Sequence, residues 1–290
     1  MRIVFIGMGK MGLPMAQHLA AAAHTLQVSD VSAPARARAA GAGLAVCAPG
    51  AALHQALAQA ELVVSSLPDD RALRDVAAHI ARHASAGSAW VDTSTVSPAV
   101  SAEVAQALSS SGIGYLRTTV SGNNHMAQAA RLTVMASGPR ALWEQLQPVL
   151  ACWGPQQFHL GESEQARLMK LVVNLMIAQT SAMLSEALSL GERGGLDWRA
   201  MWDVLCASAV GSPIVQAKAV QLRERDYTPT FTVPQMLKDM DLILAEAQRL
   251  GVPLAQTALT REAMLEAIEA GWADDDYASI IRVQQRKAQA

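Results

Sequence analysis

Two hydrophobic rhythms divide this chain. Up to about residue 160, short apolar, β-branched runs alternate with Ala-rich stretches of helical period; beyond it the period is helical throughout. The runs predict strands at 2–6 (RIVFI), 25–29, 44–47, 62–66, 89–91, 113–117, 132–136 and 156–160. Between them the pattern predicts helices up to about residue 22, then at 34–40, 51–60, 71–82, 98–109 and 140–151, with a polar loop at 121–125. Alternation of this kind builds an α/β domain, a doubly wound parallel sheet whose ligand lies beyond the carboxyl ends of its strands.

The stretch 165–190 lacks Gly and Pro and is rich in Leu, Met and Ala, so it predicts one helix roughly 39 Å long. Lys170 and Asn174 stand four residues apart in its most apolar part and share a face. If that face lines a cleft, desolvation brings the Lys170 ammonium toward neutrality and fits it to exchange a proton; otherwise the side chain snorkels to water. Past residue 190 helical signals continue, broken at Gly191, Gly194-Gly195, Gly211-Ser212-Pro213, 226–234 and Gly251-Val252-Pro253. The expected plan is therefore an α/β domain at 1–162 and an all-helical domain at 163–290 that begins with the long helix.

The first strand runs into Gly7-Met8-Gly9-Lys10-Met11-Gly12 and then a helix. In this Rossmann arrangement the first glycine allows the tight turn and the second admits a pyrophosphate. The third lets helix pack on strand, and the helix N-terminus attracts the phosphate charge. Asp30 ends the second strand about twenty residues on, where a carboxylate can accept from both adenosine ribose hydroxyls. That favours NAD over NADP, although Arg36 and Arg38 lie downstream and Val31-Ser32 leaves room for a 2′-phosphate. Leu67-Pro68 and Ser94-Thr95 fall at further strand ends, with Ser94 and Ser97 read as turn and helix-cap residues and Thr95 as a cofactor contact.

Composition narrows the partners. A net charge of -2 with no clustering of Lys and Arg argues against nucleic acid. No signal sequence or uncharged run of membrane-spanning length is apparent, so a cytoplasmic protein is expected. Cys47, Cys152 and Cys206 lack CxxC spacing and read as buried reduced thiols. His79 and His83 are i,i+4 without a third ligand nearby in sequence, so they read as a solvated helix face and no metal is expected.

Four blocks together resemble the β-hydroxyacid dehydrogenase family, the group of 3-hydroxyisobutyrate dehydrogenase-like and 6-phosphogluconate dehydrogenase-like enzymes that includes glyoxylate/succinic semialdehyde reductases. They are GMGKMGLPMAQHL at 7–19, VSGNNHMAQAARLTVMASG at 120–138, KLVVN at 170–174 and MLKDMDLILAEAQRLGVPL at 236–254. The resemblance implies an NAD(P)-dependent oxidoreductase of small β-hydroxyacids or the corresponding semialdehydes and 2-oxoacids. It makes Lys170 the acid/base and gives the substrate to Asn174 and the Ser121-Gly122-Asn123 loop, with Phe231 and Asp239 completing the pocket. Thr95 and Lys238 would contact the cofactor, and a homodimer or homotetramer is implied. The physical reading agrees: hydride exchange at a carbinol carbon requires a proton to move at the oxygen, and the Ser121 loop offers N–H and O–H donors suited to a carboxylate.

Two departures from the family's usual pattern stand out. Arg117-Thr118-Thr119 replaces an acidic residue, a small residue and Pro, and Asn123-Asn124-His125 replaces Gly and small residues, so an altered pocket floor is expected. The usual Gly-rich loop before the lysine keeps only Gly161 in Gly161-Glu162-Ser163-Glu164-Gln165-Ala166. The alternatives are an imine reductase, whose members generally carry another residue at the position of Lys170, and a cofactor-binding scaffold without turnover.

Overall fold

In the computed structural model, which describes residues 1–289, the chain forms two compact units, Met1–Lys170 and Leu171 onward. The first holds an eight-stranded sheet of order β3-β2-β1-β4-β5-β6-β7-β8. Its strands are β1 (Arg2–Ile6), β2 (Thr25–Ser29), β3 (Ala45–Val46), β4 (Leu62–Ser65), β5 (Ala89–Asp92), β6 (Gly114–Ser121), β7 (Thr133–Ser137) and β8 (Gln156–His159). The six strands from β3 to β6 are parallel, and Ile6 pairs with Ser29 and Ser65, Ser65 with Asp92, and Asp92 with Arg117. Strand ends are thus in one row, and the order reverses between β1 and β4, the switch point where such sheets bind ligands.

Alternate residues of each central strand go to opposite cores, as expected for a sheet covered on both faces. Ile3, Phe5, Val64 and Val91 pack with Met15 and Leu19 of α1 (Gly12–Ala21) and Leu146 of α7 (Arg140–Leu150). Val4, Ile6, Val63 and Trp90 pack with Leu57 of α3 (Ala51–Gln59), Leu73 and Ile80 of α4 (Asp70–His83) and Val104 of α5 (Pro98–Leu108). The helix after β2, α2 (Ala33–Gly41), is capped by Ser32, whose Oγ accepts from Ala35 N–H.

The sheet departs from the sequence expectation in two places. β7 runs antiparallel to β6 and β8 parallel to β7, so the sheet is mixed beyond β6. The polar loop after β6 is also partly helical: α6 (Asn124–Gln128) starts there because Asn123 Oδ1 accepts from Met126 N–H at 3.0 Å.

The long helix, α8 (Gln165–Arg193), runs through Gly191, where a break was expected. A Cβ at Gly191 would lie 2.3 Å from Met201 Sδ on α9 (Trp198–Ala207), so this glycine admits a neighbouring helix rather than ending its own. The remaining α-helices among the described residues are α10 (Pro213–Leu222), α11 (Val233–Leu250), α12 (Ala255–Glu269) and α13 (Ile280–Gln289). Leu184 and Leu188 of α8 pack with Trp198, Trp202 and Ile281, while Ala178 packs with Met236, Met240 and Met264. By length and composition α8 could cross a membrane, but these core contacts account for part of its apolar surface. Between α10 and α11 the chain is pinned by a buried ion pair. Lys218 Nζ lies 2.5 Å from Asp276 Oδ1 and 4.1 Å from the centre of the Tyr277 ring, while Asp276 Oδ2 accepts from Thr230.

Candidate functional site

The three glycines after β1 are required for different reasons. A Cβ on Gly7 (φ +100°) would meet Ser66 O at 2.2 Å, and one on Gly12 would meet Gly7 O at 1.9 Å. Packing of the turn on β4, and of α1 on the turn, therefore excludes any side chain at either position. A Cβ on Gly9 would meet nothing within 4 Å. Gly9 is also exposed, so the space beside it is open to a ligand, and this turn fits a dinucleotide pyrophosphate.

Asp30 is half-buried just past β2, and its carboxylate braces the turn. Oδ2 accepts from Met8 N–H at 2.7 Å, and Oδ1 accepts from Ser32 N–H at 2.7 Å. Arg36 Nη1 donates to the Asp30 and Val31 carbonyls at 2.6 and 3.0 Å, which puts a cation at the edge of the predicted ribose position, beside an exposed Val31. The sheet thus gathers the sequence-predicted cofactor residues Gly7, Met8, Gly9, Lys10, Met11, Gly12, Asp30, Val31, Leu67, Pro68 and Thr95 at the carboxyl ends of β1, β2, β4 and β5.

Behind the ends of β4 and β5 lies a fully buried polar cluster that sequence reading missed. Asp92 Oδ1 accepts from Ser65 Oγ at 2.5 Å and Ser94 Oγ at 2.7 Å, and Ser94 Oγ accepts from Leu67 N–H at 2.8 Å. Ser94 is therefore a tie between two strand ends and not a helix cap; Ser97 does cap α5, accepting from Val100 N–H. Asp92 Oδ2 takes Arg167 Nη2 at 2.5 Å, and Arg167 also donates to Ser94 O, Tyr115 OH and Ser101 Oγ. Burial opposes the guanidinium charge, but Tyr115 and Asp92 more than offset it and hold Arg167 above its ordinary range; burial likewise raises Tyr115. The only sequence signal was an arginine three residues before Lys170 in an apolar helix.

Arg167 is one of four ties on the first turn of α8 and the two residues before it. Thr119 Oγ1 donates to Ala166 O, Ser137 Oγ donates to Ser163 O while accepting from Ala166 N–H, and Arg117 Nε donates to Glu164 Oε1 at 2.7 Å. The two departures from the family pattern therefore meet: Arg117 pairs with Glu164, one residue from each. Arg117, Thr118 and Thr119 are buried, so this stretch is a brace for the helix start and not the altered pocket floor expected from sequence.

Lys170 follows this anchored turn and is half-buried. One turn further on, in the second unit, Asn174 Nδ2 donates to Asp239 Oδ2 at 2.5 Å, and Lys238 Nζ lies 2.8 Å from Asp239 Oδ1. Asp239 is 1% exposed and its carboxylate only accepts, so it fixes which way the Asn174 amide faces and leaves Oδ1 as the acceptor end. Phe231 packs edge-on to Tyr277 at 6.3 Å. At the end of β6, Ser121 and Asn123 are half-buried, Gly122 (φ +138°) and His125 are exposed, and a Cβ on Gly122 would meet Leu132 Cδ2 at 2.7 Å. The Asn123 carbonyl oxygen is engaged in capping α6, so its amide nitrogen is the end suited to an anion.

Comparison with known proteins gives matches over nearly the whole chain. Residues 2–161 match the family described as the NAD binding domain of 6-phosphogluconate dehydrogenase. Residues 165–284 match that described as the NAD-binding of NADP-dependent 3-hydroxyisobutyrate dehydrogenase. A 2-(hydroxymethyl)glutarate dehydrogenase of Eubacterium barkeri is 29% identical over 98% of this chain and 95% of its own. Among solved structures, a 3-hydroxyisobutyrate dehydrogenase from Salmonella typhimurium superposes with a TM-score of 0.87 at 26% identity, covering 97% of this chain and 99% of that one. The Mycobacterium tuberculosis 3-hydroxyisobutyrate dehydrogenase with L-serine gives 0.87 and 26%, covering 97% and 98%.

Proposed function

The chain belongs to the β-hydroxyacid dehydrogenase family, and from that premise we propose that it oxidises a small β-hydroxyacid or reduces the corresponding semialdehyde or 2-oxoacid, with Lys170 as general acid/base. It is an NAD(P)-dependent enzyme, and the bound nicotinamide supplies or accepts the hydride. The observation that carries the reading is the Asn174–Asp239 bond one turn from Lys170. An amide oxygen held as acceptor four residues from Lys170 on the same helix face suits the lysine N–H, aiming Nζ at the carbinol oxygen to take its proton or return it. Asp239 acts as a positioning residue, and Lys238 both pairs with it and contacts the cofactor. By the family resemblance, Ser121, Gly122 and the Asn123 amide nitrogen would receive the substrate carboxylate, Phe231 would complete the pocket, and Thr95 would contact the cofactor. The L-serine held by the Mycobacterium tuberculosis relative, itself a β-hydroxyacid, supports this substrate class.

The test is turnover with NAD and NADP against 3-hydroxyacids, short semialdehydes, 2-oxoacids and cyclic imines. Activity confined to the carboxylate-bearing compounds is expected; activity on imines alone, or none, overturns the proposal. NAD is expected to give the higher kcat/KM. Like charges about 4 Å apart repel by roughly 4 kcal/mol at an effective dielectric of 20, and Arg36 offsets only part of that between Asp30 and a 2′-phosphate. Asp30→Asn sacrifices one of the two backbone N–H acceptors that brace the turn, so the cofactor ratio, rather than the absolute rate, is the quantity to read. An unchanged ratio removes Asp30 from selectivity.

The exposed face of α8 supports a homodimer or homotetramer. Val172, Met176, Met183 and Leu190 are 47–77% exposed and spaced at four and seven residues, a continuous apolar stripe on one helix face. We place a second subunit on that stripe. Sedimentation at micromolar concentration should give at least twice the 30.7 kDa chain mass, and a monomer there refutes the assignment.

A further inference from the structure

His79 and His83, which the sequence left as a solvated face, have a third histidine beside them. His54 of α3 packs against the end of α4, its ring stacked on His83 with centroids 3.8 Å apart and 5.4 Å from that of His79. Ligand-capable nitrogens of the three residues all lie within 4.8 Å of one another. His54 is half-buried, and its Nε2 is buried with no hydrogen-bond partner among the described residues. A buried polar nitrogen left unsatisfied is costly, and simple ring stacking does not relieve it.

We propose that His54, His79 and His83 form a binding site for a divalent transition-metal ion of the zinc class. Three imidazoles suit Zn²⁺, Ni²⁺ and Cu²⁺ better than Mg²⁺ or Ca²⁺, which require oxygen ligands. Tetrahedral zinc with nitrogens at 2.0–2.1 Å needs those nitrogens about 3.3 Å apart, so the rings must swing out of their stack and close by an ångström or so. The two α4 ligands already share a face at i,i+4, and His54 comes from a neighbouring helix, so the ion ties α3 to α4 and leaves its fourth position to water. In a parallel sheet both helices run from the carboxyl edge back to the amino edge, and His79 and His83 occupy the last turns of α4. The site is thus at the edge opposite the glycine turn, where it braces the fold without touching the chemistry.

The experiment uses the full chain, stripped with a chelator and titrated with Zn²⁺ by calorimetry, with Co²⁺ absorbance reporting coordination. One equivalent per chain is expected in the wild type, lost in His54→Gln and in His79→Gln. His79 is exposed, so that second variant keeps the fold, which circular dichroism verifies. Zinc at a hundred times Kd should raise the wild-type Tm by about 5–10 °C and leave both variants unmoved. Turnover without added metal should be the same in all three proteins. A wild type that takes up no zinc at tens of micromolar, or uptake and Tm shift undiminished in both variants, overturns the site.

Discussion

Lys170→Ala is expected to lower kcat by about 10²- to 10⁴-fold while leaving cofactor affinity nearly unchanged, because general acid/base catalysis contributes on that order. The expectation is specific to the amine. Lys170→Arg keeps the positive charge on a group that does not titrate in the working range, so it should be nearly as impaired as alanine. Cofactor Kd by fluorescence titration separates loss of the proton step from loss of the nucleotide site, since the glycine turn and Asp30 hold their geometry without Lys170. Alanine retaining more than about a tenth of wild-type kcat would remove Lys170 from the acid/base role.

Arg167→Ala should destabilise the protein by about 3–5 kcal/mol, the usual cost of stranding one member of a buried ion pair. Arg167 and Asp92 are both 0% exposed in their side chains, so the abandoned carboxylate has no route to water. The same variant should lose activity out of proportion to its stability at temperatures where it remains folded, because Arg167 anchors the helical turn that precedes Lys170 by three residues. Denaturant midpoints and kcat measured on the folded variant check the two parts. A midpoint equal to wild type would show that the cluster contributes nothing net, and full activity would show that it does not position the helix. Pairing Arg167→Met with Asp92→Leu, which removes both charges, should recover much of the stability.

The parts of the fold with a strong period were legible in the sequence. Strands buried on both faces read as continuous apolar runs, and the strand–GxGxxG–helix order put the dinucleotide at the end of the first strand. The antiparallel β7 was not legible, since β6 and β7 have no hydrophobic signature of direction and the short capped helix α6 between them looked like loop. Gly191 misled because a glycine inside a helix reads as a break unless one knows that Met201 presses on it. Of the candidate site, residues spaced along one element, such as Lys170 and Asn174, were visible from i,i+4 arithmetic. Groups that meet only through the tertiary fold were not: Asp92 with Arg167, Arg117 with Glu164, and His54 with His83 are separated by 75, 47 and 29 positions, and nothing local announces their contact.

The unequal surroundings of the three glycines have a bearing on drift. Gly7 and Gly12 answer to the chain itself, since a methyl group at either would collide with backbone whether or not any nucleotide was ever bound. Gly9 answers only to the guest. A descendant that kept this sheet for some other purpose would hold the outer two letters of the motif and release the middle one, at no expense to folding. The middle letter is therefore a record of occupation: it speaks for a turn still open to a nucleotide, whatever chemistry follows.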